Sequence, residues 1–412
     1  MEMFSLFSVL ISLAAIFSYI NIRLFRLPSG ILLMLMGTIV SVTLIIAGQL
    51  SPAFTAYIKQ ELRLIDFSQF LLGILLSFLL FAGSLHVNFN ALKHSGLSIV
   101  SFATMGTILS TVFIGTIAYY LFAAMGVGLP YIACLLFGAL ISPTDPIAVL
   151  GILKQAKISH SIEIKITGES LFNDGVGVVI FMTLAEVAAL GIEQVSASQV
   201  GILFAREVVG GVLAGGAIGF VGYRLMKSID HFQTEILISL AMVMGGYSLC
   251  HYLHVSGPLA MVIAGLWTGN QGRELAMSDT TRDYLEKFWE VTDEVLNAVL
   301  FMLIGLELVT VNFAWNYLTL GLILALAMLV ARYCSLWIPT QIFRFKQTLE
   351  PRTLEIMTWG GLRGGISIAL ALSLPKSAQT DVIVSVAFVM VLFSILIQGF
   401  TMERFVKYIQ QP

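Results

Sequence analysis

Gly168-Glu169-Ser170-Leu171-Phe172-Asn173-Asp174-Gly175 places two carboxylates, a hydroxyl and an amide inside a segment long and apolar enough to cross a bilayer. An acid at the centre of a membrane helix costs about 2.5–3.5 kcal/mol on insertion scales, so two acids this close need a compensating role. Ser170 and Asp174 are four residues apart, and a helix stacks such a pair on one face, about 6 Å apart. Glu169 lies beside that face. Asn173, on its flank, offers an amide donor or a carbonyl acceptor without adding charge. This set of oxygens suits a hard monovalent cation, and the Asp174 carboxylate can hold a proton in its place. The competing reading is a buried polar patch that only joins helices.

The rest of the chain has the composition of that segment. Of 412 residues, 58% are hydrophobic and 11% charged, where soluble domains carry about 25% charge. The fold class is therefore an all-α polytopic membrane protein. A formal net charge of −2 points to no nucleic acid and no acidic partner. Met1-Glu2-Met3 runs directly into an apolar stretch ending at Ile22 and lacks the basic leader of a cleaved signal, so it reads as a first crossing. Little follows Val406, so no soluble regulatory domain is expected. Cys134, Cys250 and Cys334 fall in apolar spans without pair spacing and read as packing residues.

A hydrocarbon core of about 30 Å needs about 20 helical residues. That ruler predicts thirteen crossings, near 3–22, 30–48, 67–85, 96–123, 130–153, 165–189, 200–226, 234–253, 256–269, 291–309, 317–343, 354–374 and 382–406. Basic residues support the count, because cytoplasmic loops are enriched in them. Of 22 Lys and Arg, one set of alternate loops receives sixteen and the other only Lys59, Arg63 and Lys376; Arg206, Arg332 and Arg363 lie within spans. The N-terminus is then outside and the C-terminus cytoplasmic. The charged stretch 271–290 reads as a solvated surface helix.

Two crossings are interrupted at their centres. The fifth contains Ser142-Pro143-Thr144-Asp145-Pro146, where prolines remove backbone donors and disfavour helix in the preceding residue. The twelfth contains Gly360-Gly361-Leu362-Arg363-Gly364-Gly365. If crossings one to six and eight to thirteen are two repeats joined by a linker helix at 200–226, the broken helices 5 and 12 are the fifth member of each. They also face opposite ways. Two inverted six-helix repeats, each with a discontinuous helix, point to a transport site near the midplane. Gly211, Gly215 and Gly219 on the linker read as close helix packing.

The remaining buried charges leave alternatives open. Asp145 either lends charge to a cation cavity or caps the half-helix that follows it. Thr144 offers a hydroxyl and a freed carbonyl. Glu169 pairs with Arg363 or with Arg332, leaving Asp174 as the acid free to titrate; alternatively Arg363 only satisfies carbonyls of a broken helix. Glu186, Glu207 and Glu307 read as structural or vestibular, and His251 and His254 fall near the outer boundary.

Together, the SPTDP break, the GESLFND run and the GGLRG break resemble bacterial Na⁺/H⁺ antiporters of the NhaP type, in the monovalent cation:proton antiporter-1 family that includes animal sodium/proton exchangers. The likeness covers nearly the whole chain as a single transporter unit, 1–412. It implies an ion-translocating core at 96–189 and 317–406, a dimerisation domain at 3–85 and 234–309, a homodimer, and alternating access in a bacterial inner membrane. It implies roles in pH homeostasis and sodium transport with no cofactor. Asp174 becomes the carrier of cation and proton, Asn173 its partner, Ser170 and Thr144 ligands, and Asp145 the acid at the helix break. Glu169 with Arg363 or Arg332 becomes the structural ion pair. Some relatives carry an acid in the third crossing where this chain has Ala82. The pair Asn173-Asp174, rather than two aspartates, resembles exchangers described as electroneutral.

The expected mechanism is competition of H⁺ with Na⁺ (or Li⁺) for Asp174, the loaded core crossing because its charge is cancelled. K⁺/H⁺ exchange and a passive cation channel are the alternatives. The chain is not expected to be an enzyme. It has no Gly-x-Ser-x-Gly, no His-Glu-x-x-His and no phosphate-binding Gly-x-x-x-x-Gly-Lys loop.

Overall fold

The computed structural model describes residues 2–50, 70–145, 153, 158–191, 195–273, 277–309, 315–343 and 349–410. Pro146 and nearly all of the second half of the fifth predicted crossing lie outside the described residues, as do Lys59, Arg63, Lys154, Lys157, Arg344 and Lys346.

Every regular element among the described residues is helical, as a bilayer requires of a chain that must satisfy its backbone groups internally. The helices are α1 (Glu2–Ile20), α2 (Ser29–Leu50), α3 (Leu76–Leu85), α4 (Phe89–Ser101), α5 (Thr107–Ala124), α6 (Tyr131–Ile141), α7 (His160–Leu190) and α8 (Ala197–Met226). They continue as α9 (Phe232–Tyr252), α10 (Gly257–Trp267), α11 (Asp279–Glu307), α12 (Trp315–Ile342), α13 (Thr353–Trp359), α14 (Gly365–Leu372), α15 (Ala378–Phe393) and α16 (Phe400–Gln410). Among the described residues, eight helical stretches are long and apolar enough to cross a membrane, and shorter apolar helices run Leu71–Leu85 and Tyr131–Ile141.

Serines set several helix starts. Ser159, Ser196, Ser256, Ser278 and Ser377 each accept a backbone N–H of the first turn, satisfying donors that would otherwise be orphaned. Small residues set the close crossings. A Cβ on Gly305 of α11 would stand 2.6 Å from the Gly37 Cα of α2, and Ser41 donates to the Gly305 carbonyl at 2.6 Å. Gly211, Gly215 and Gly219 of α8 lie against α10 and its capping residue, where a Cβ on Gly211 would meet the Ser256 carbonyl at 2.8 Å and one on Gly219 the Trp267 Cβ at 2.8 Å.

From Asp279 onward the surface helix expected at 271–290 runs without interruption into the tenth crossing expected from Val291, as α11; 274–276 lie outside the described residues. The stretch holds no proline, and its charges occupy one face while Thr281, Leu285 and Trp289 are buried on the other. A four-residue apolar period carries the helix through the charged region. Around the polar centre, α7 packs on α4, α6, α8 and α10, and α12 packs on α5 and α15. Phe102–Gly106 and Ser394–Gly399 are π-helical turns within long helices; such turns re-aim side chains at the cost of helical hydrogen bonds.

Candidate functional site

The two interruptions meet beside α7. α6 stops at Ile141, and Pro143, Thr144 and Asp145 run without helix. Between α13 and α14, residues 361–364 do the same. The Asp145 amide donates to the Leu362 carbonyl at 2.8 Å, tying one break to the other through backbone alone. Gly364 permits the approach: a Cβ there would lie 2.6 Å from the Asp145 Cβ.

The carbonyls freed in the first break are met by a cation. The fully buried Arg363 donates through one guanidinium nitrogen to the Ser142 carbonyl and to the Pro143 carbonyl, the latter at 2.9 Å. Its own backbone amide donates to the Ser394 hydroxyl at 2.9 Å, at the start of the second π-helical turn. Arg363 is thus occupied with the broken backbone. Arg332 of α12 is the residue on Glu169, in a two-pronged pair at 2.9 and 2.6 Å with both partners buried.

From Glu169 the polar chain continues. Asn173, one turn on, donates its amide to the Glu169 carboxylate at 2.6 Å and to the Thr144 hydroxyl at 2.8 Å, and its amide oxygen accepts the Thr144 N–H at 3.2 Å. The Thr144 and Ser170 hydroxyls share a hydrogen bond of 3.0 Å. Asn173, Thr144 and Ser170 therefore form one buried network with Glu169 and Arg332.

Asp174 stands apart from that network. It is 8% exposed and lines, with Asp145, a cavity of about 540 Å³. Apolar side chains such as Leu76, Leu80 and Leu300 form much of the wall, and His86, Asn88, His160 and Glu163 contribute polar groups. Of the two acids in the Gly168–Gly175 run, Glu169 is fixed by an arginine and Asp174 faces the cavity. Ala82 of α3 is buried, and Gly83 lines the cavity.

Asp293 and Asn297 of α11 also line the cavity. Both fall within the crossing expected at 291–309, and neither was weighed there as a buried polar group. The signal that could have found them is the spacing itself, since an acid and an amide four apart share one helix face.

The family profile described as sodium/hydrogen exchanger, transmembrane, matches residues 10–408. The chain is 43% identical over 419 residues to a Na⁺/H⁺ antiporter, NhaP, of Pseudomonas aeruginosa, covering 100% of this chain and 98% of that protein. It is 32% identical over 406 residues to a Na⁺/H⁺ antiporter, NhaH, of Halobacillus dabanensis, covering 97% and 96%. Its fold is similar to that of the sodium proton antiporter MjNhaP1 from Methanocaldococcus jannaschii at pH 8, with a TM-score of 0.79 over 99% of both chains at 20% identity.

Proposed function

The chain belongs to the transmembrane sodium/hydrogen exchanger family, and from that premise we propose that it exchanges Na⁺ (or Li⁺) for H⁺ by competition at Asp174. The names of its relatives favour Na⁺ over K⁺. The observation that carries the proposal is the division of labour on α7. Glu169 is neutralised by Arg332, while Asp174 opens on the cavity. A carboxylate in low dielectric must be neutralised before it moves, and H⁺ or a cation does so equally, but not both at once.

In this reading the cation exchanges hydration oxygens for Asp174, with Thr144, Ser170 and the amide oxygen of Asn173 at hand as further oxygens, and Asp145 adds negative charge. The Arg332–Glu169 pair and Asn173 hold those oxygens in place without changing protonation. One carboxylate taking one proton or one cation gives electroneutral 1:1 exchange. The remaining architecture follows as part of the same proposal: thirteen crossings in two inverted repeats joined by α8, with α4–α7 and α12–α16 in the moving core. Helices α1–α3 and α9–α11 form a dimerising scaffold in a bacterial inner membrane, with the N-terminus outside. His86, Asn88 and His160 of the cavity flank loops that the basic-residue bias assigns to the cytoplasm, which supports an inward-open state.

The test is reconstitution into vesicles with an imposed Na⁺ gradient, following internal pH with and without a clamped voltage. The wild type moves protons against Na⁺ at a rate indifferent to voltage, and Asp174→Asn abolishes the exchange while remaining folded. Full exchange by that variant refutes the role of Asp174.

A further inference from the structure

α3 and α4 are joined by three residues, His86, Val87 and Asn88, and one side chain from far along the sequence holds that turn on either side of Asn88. Asn270 donates its amide to the Val87 carbonyl at 2.9 Å and to the Leu266 carbonyl at 2.8 Å, and its amide oxygen accepts the Phe89 N–H at 2.7 Å. Both amide hydrogens and the amide oxygen are thereby engaged. Asn270 lies in the π-helical turn Thr268–Gly272, which follows α10 directly, and such a turn re-aims the side chains it carries. Small residues permit the approach: a Cβ on Gly269 would run into the Leu85 carbonyl, and one on Gly265 into the Ser84 hydroxyl.

These bonds fall where the proposed scaffold passes into the proposed core. α3 belongs to the scaffold with α10, on which it packs, and α4 belongs to the core. A core that moves against a scaffold bends at the connections between them, in a few residues that absorb the change of φ and ψ. The turn 86–88 is placed to be such a hinge, but Asn270 bonds its backbone to the end of α10. We propose that Asn270 is a positioning residue for exchange: it pins the turn 86–88 to the scaffold, so that the core pivots at the first turn of α4. His86, Val87 and Asn88 line the cavity that Asp174 faces, so this part of its wall then stays with the scaffold while α7 moves.

The pin rests on the division into scaffold and core proposed above, and it adds where one hinge lies. Asn270 is not itself part of the cavity wall, so its effect on exchange passes through the turn.

The experiment measures Na⁺/H⁺ exchange per folded molecule in vesicles, beside hydrogen exchange at the Phe89 amide of the full-length protein. Asn270→Asp is nearly isosteric; it keeps an acceptor for the Phe89 N–H and sets an oxygen against two carbonyls, and Asn270→Ala removes all three bonds. The expected result is exchange about tenfold slower per folded molecule in both variants, with the wild-type Phe89 amide equally protected with and without saturating Na⁺. Wild-type rates per folded molecule in both variants, whatever their unfolding midpoints, make Asn270 a structural residue and overturn the proposal. Loss of wild-type protection when Na⁺ is supplied overturns it too, because the turn then travels with the core. The division itself is read from the distance between spin labels at Met125 and Tyr252, exposed at the ends of α5 and α9, in a chain with its three cysteines replaced. A distance unchanged between Na⁺-loaded and proton-loaded protein refutes the division, whereas a changing distance with wild-type rates refutes the pin alone.

Discussion

The two helix breaks lie against each other and are stabilised by opposite means. The break at 142–145 carries a carboxylate and exposes carbonyls, and it is held by a guanidinium from outside its own helix. The break at 361–364 carries that guanidinium and is held by neutral groups: the Leu362 carbonyl takes the Asp145 amide, Ser394 accepts the Arg363 amide, and glycines clear the space. One break is thus electrostatically dependent on its partner, and the other is held mainly by fit. A guanidinium given by one interruption and a backbone amide given by the other let both persist at membrane depth without a helical backbone.

The largest effect expected from this contrast is that of Arg363→Met. Bonds to a charged donor contribute about 1.5–3 kcal/mol each, so loss of both carbonyl contacts should destabilise the protein by about 3–6 kcal/mol. The unfolding free energy of the purified protein measures this, and Arg363→Lys should recover part of it as a point charge without the planar fork. A Met variant as stable as the wild type would mean the first break does not depend on its partner's charge.

Gly364→Ala tests fit. A methyl placed 2.6 Å from the Asp145 Cβ forces the breaks apart, at about 1–3 kcal/mol for overpacking. Exchange in vesicles should fall by more than stability does, because Asp145 moves with the backbone. Equal losses in both would make the glycine a packing residue only.

The interruptions themselves were legible in the sequence, since prolines and clustered glycines act on their own backbone. So was the all-helical fold, from composition and the length of the apolar runs. The assignment of the arginines was not. Arg332 and Arg363 are both buried cations distant in sequence from Glu169, and only the reach of the Arg332 side chain from α12 to Glu169 and the lie of one break on the other separate their tasks. The π-helical turns were equally hidden, because Phe102–Gly106 and Ser394–Gly399 share no residue pattern that marks an extra residue in a turn. Asp293 and Asn297 went unseen for a different reason. They sit within two turns of the expected boundary at Val291, where a polar residue reads as interfacial, and only the continuity of α11 carries them to the cavity.

The smallest effect belongs to Ser394→Ala, which bears on whether the second break is self-sufficient. The Ser394 hydroxyl accepts the Arg363 N–H in a fully buried setting, so its removal leaves a backbone donor with no acceptor. That should cost about 1–2 kcal/mol, less than the loss of either Arg363 carbonyl contact, since the Ser394 hydroxyl and the amide are both neutral. The expected signature in the unfolding titration is a shift of the midpoint with an unchanged slope, because compactness is retained. A loss as large as that of Arg363→Met would erase the contrast between the breaks, because the π-helical turn at Ser394 would then be as necessary to the second as the guanidinium is to the first.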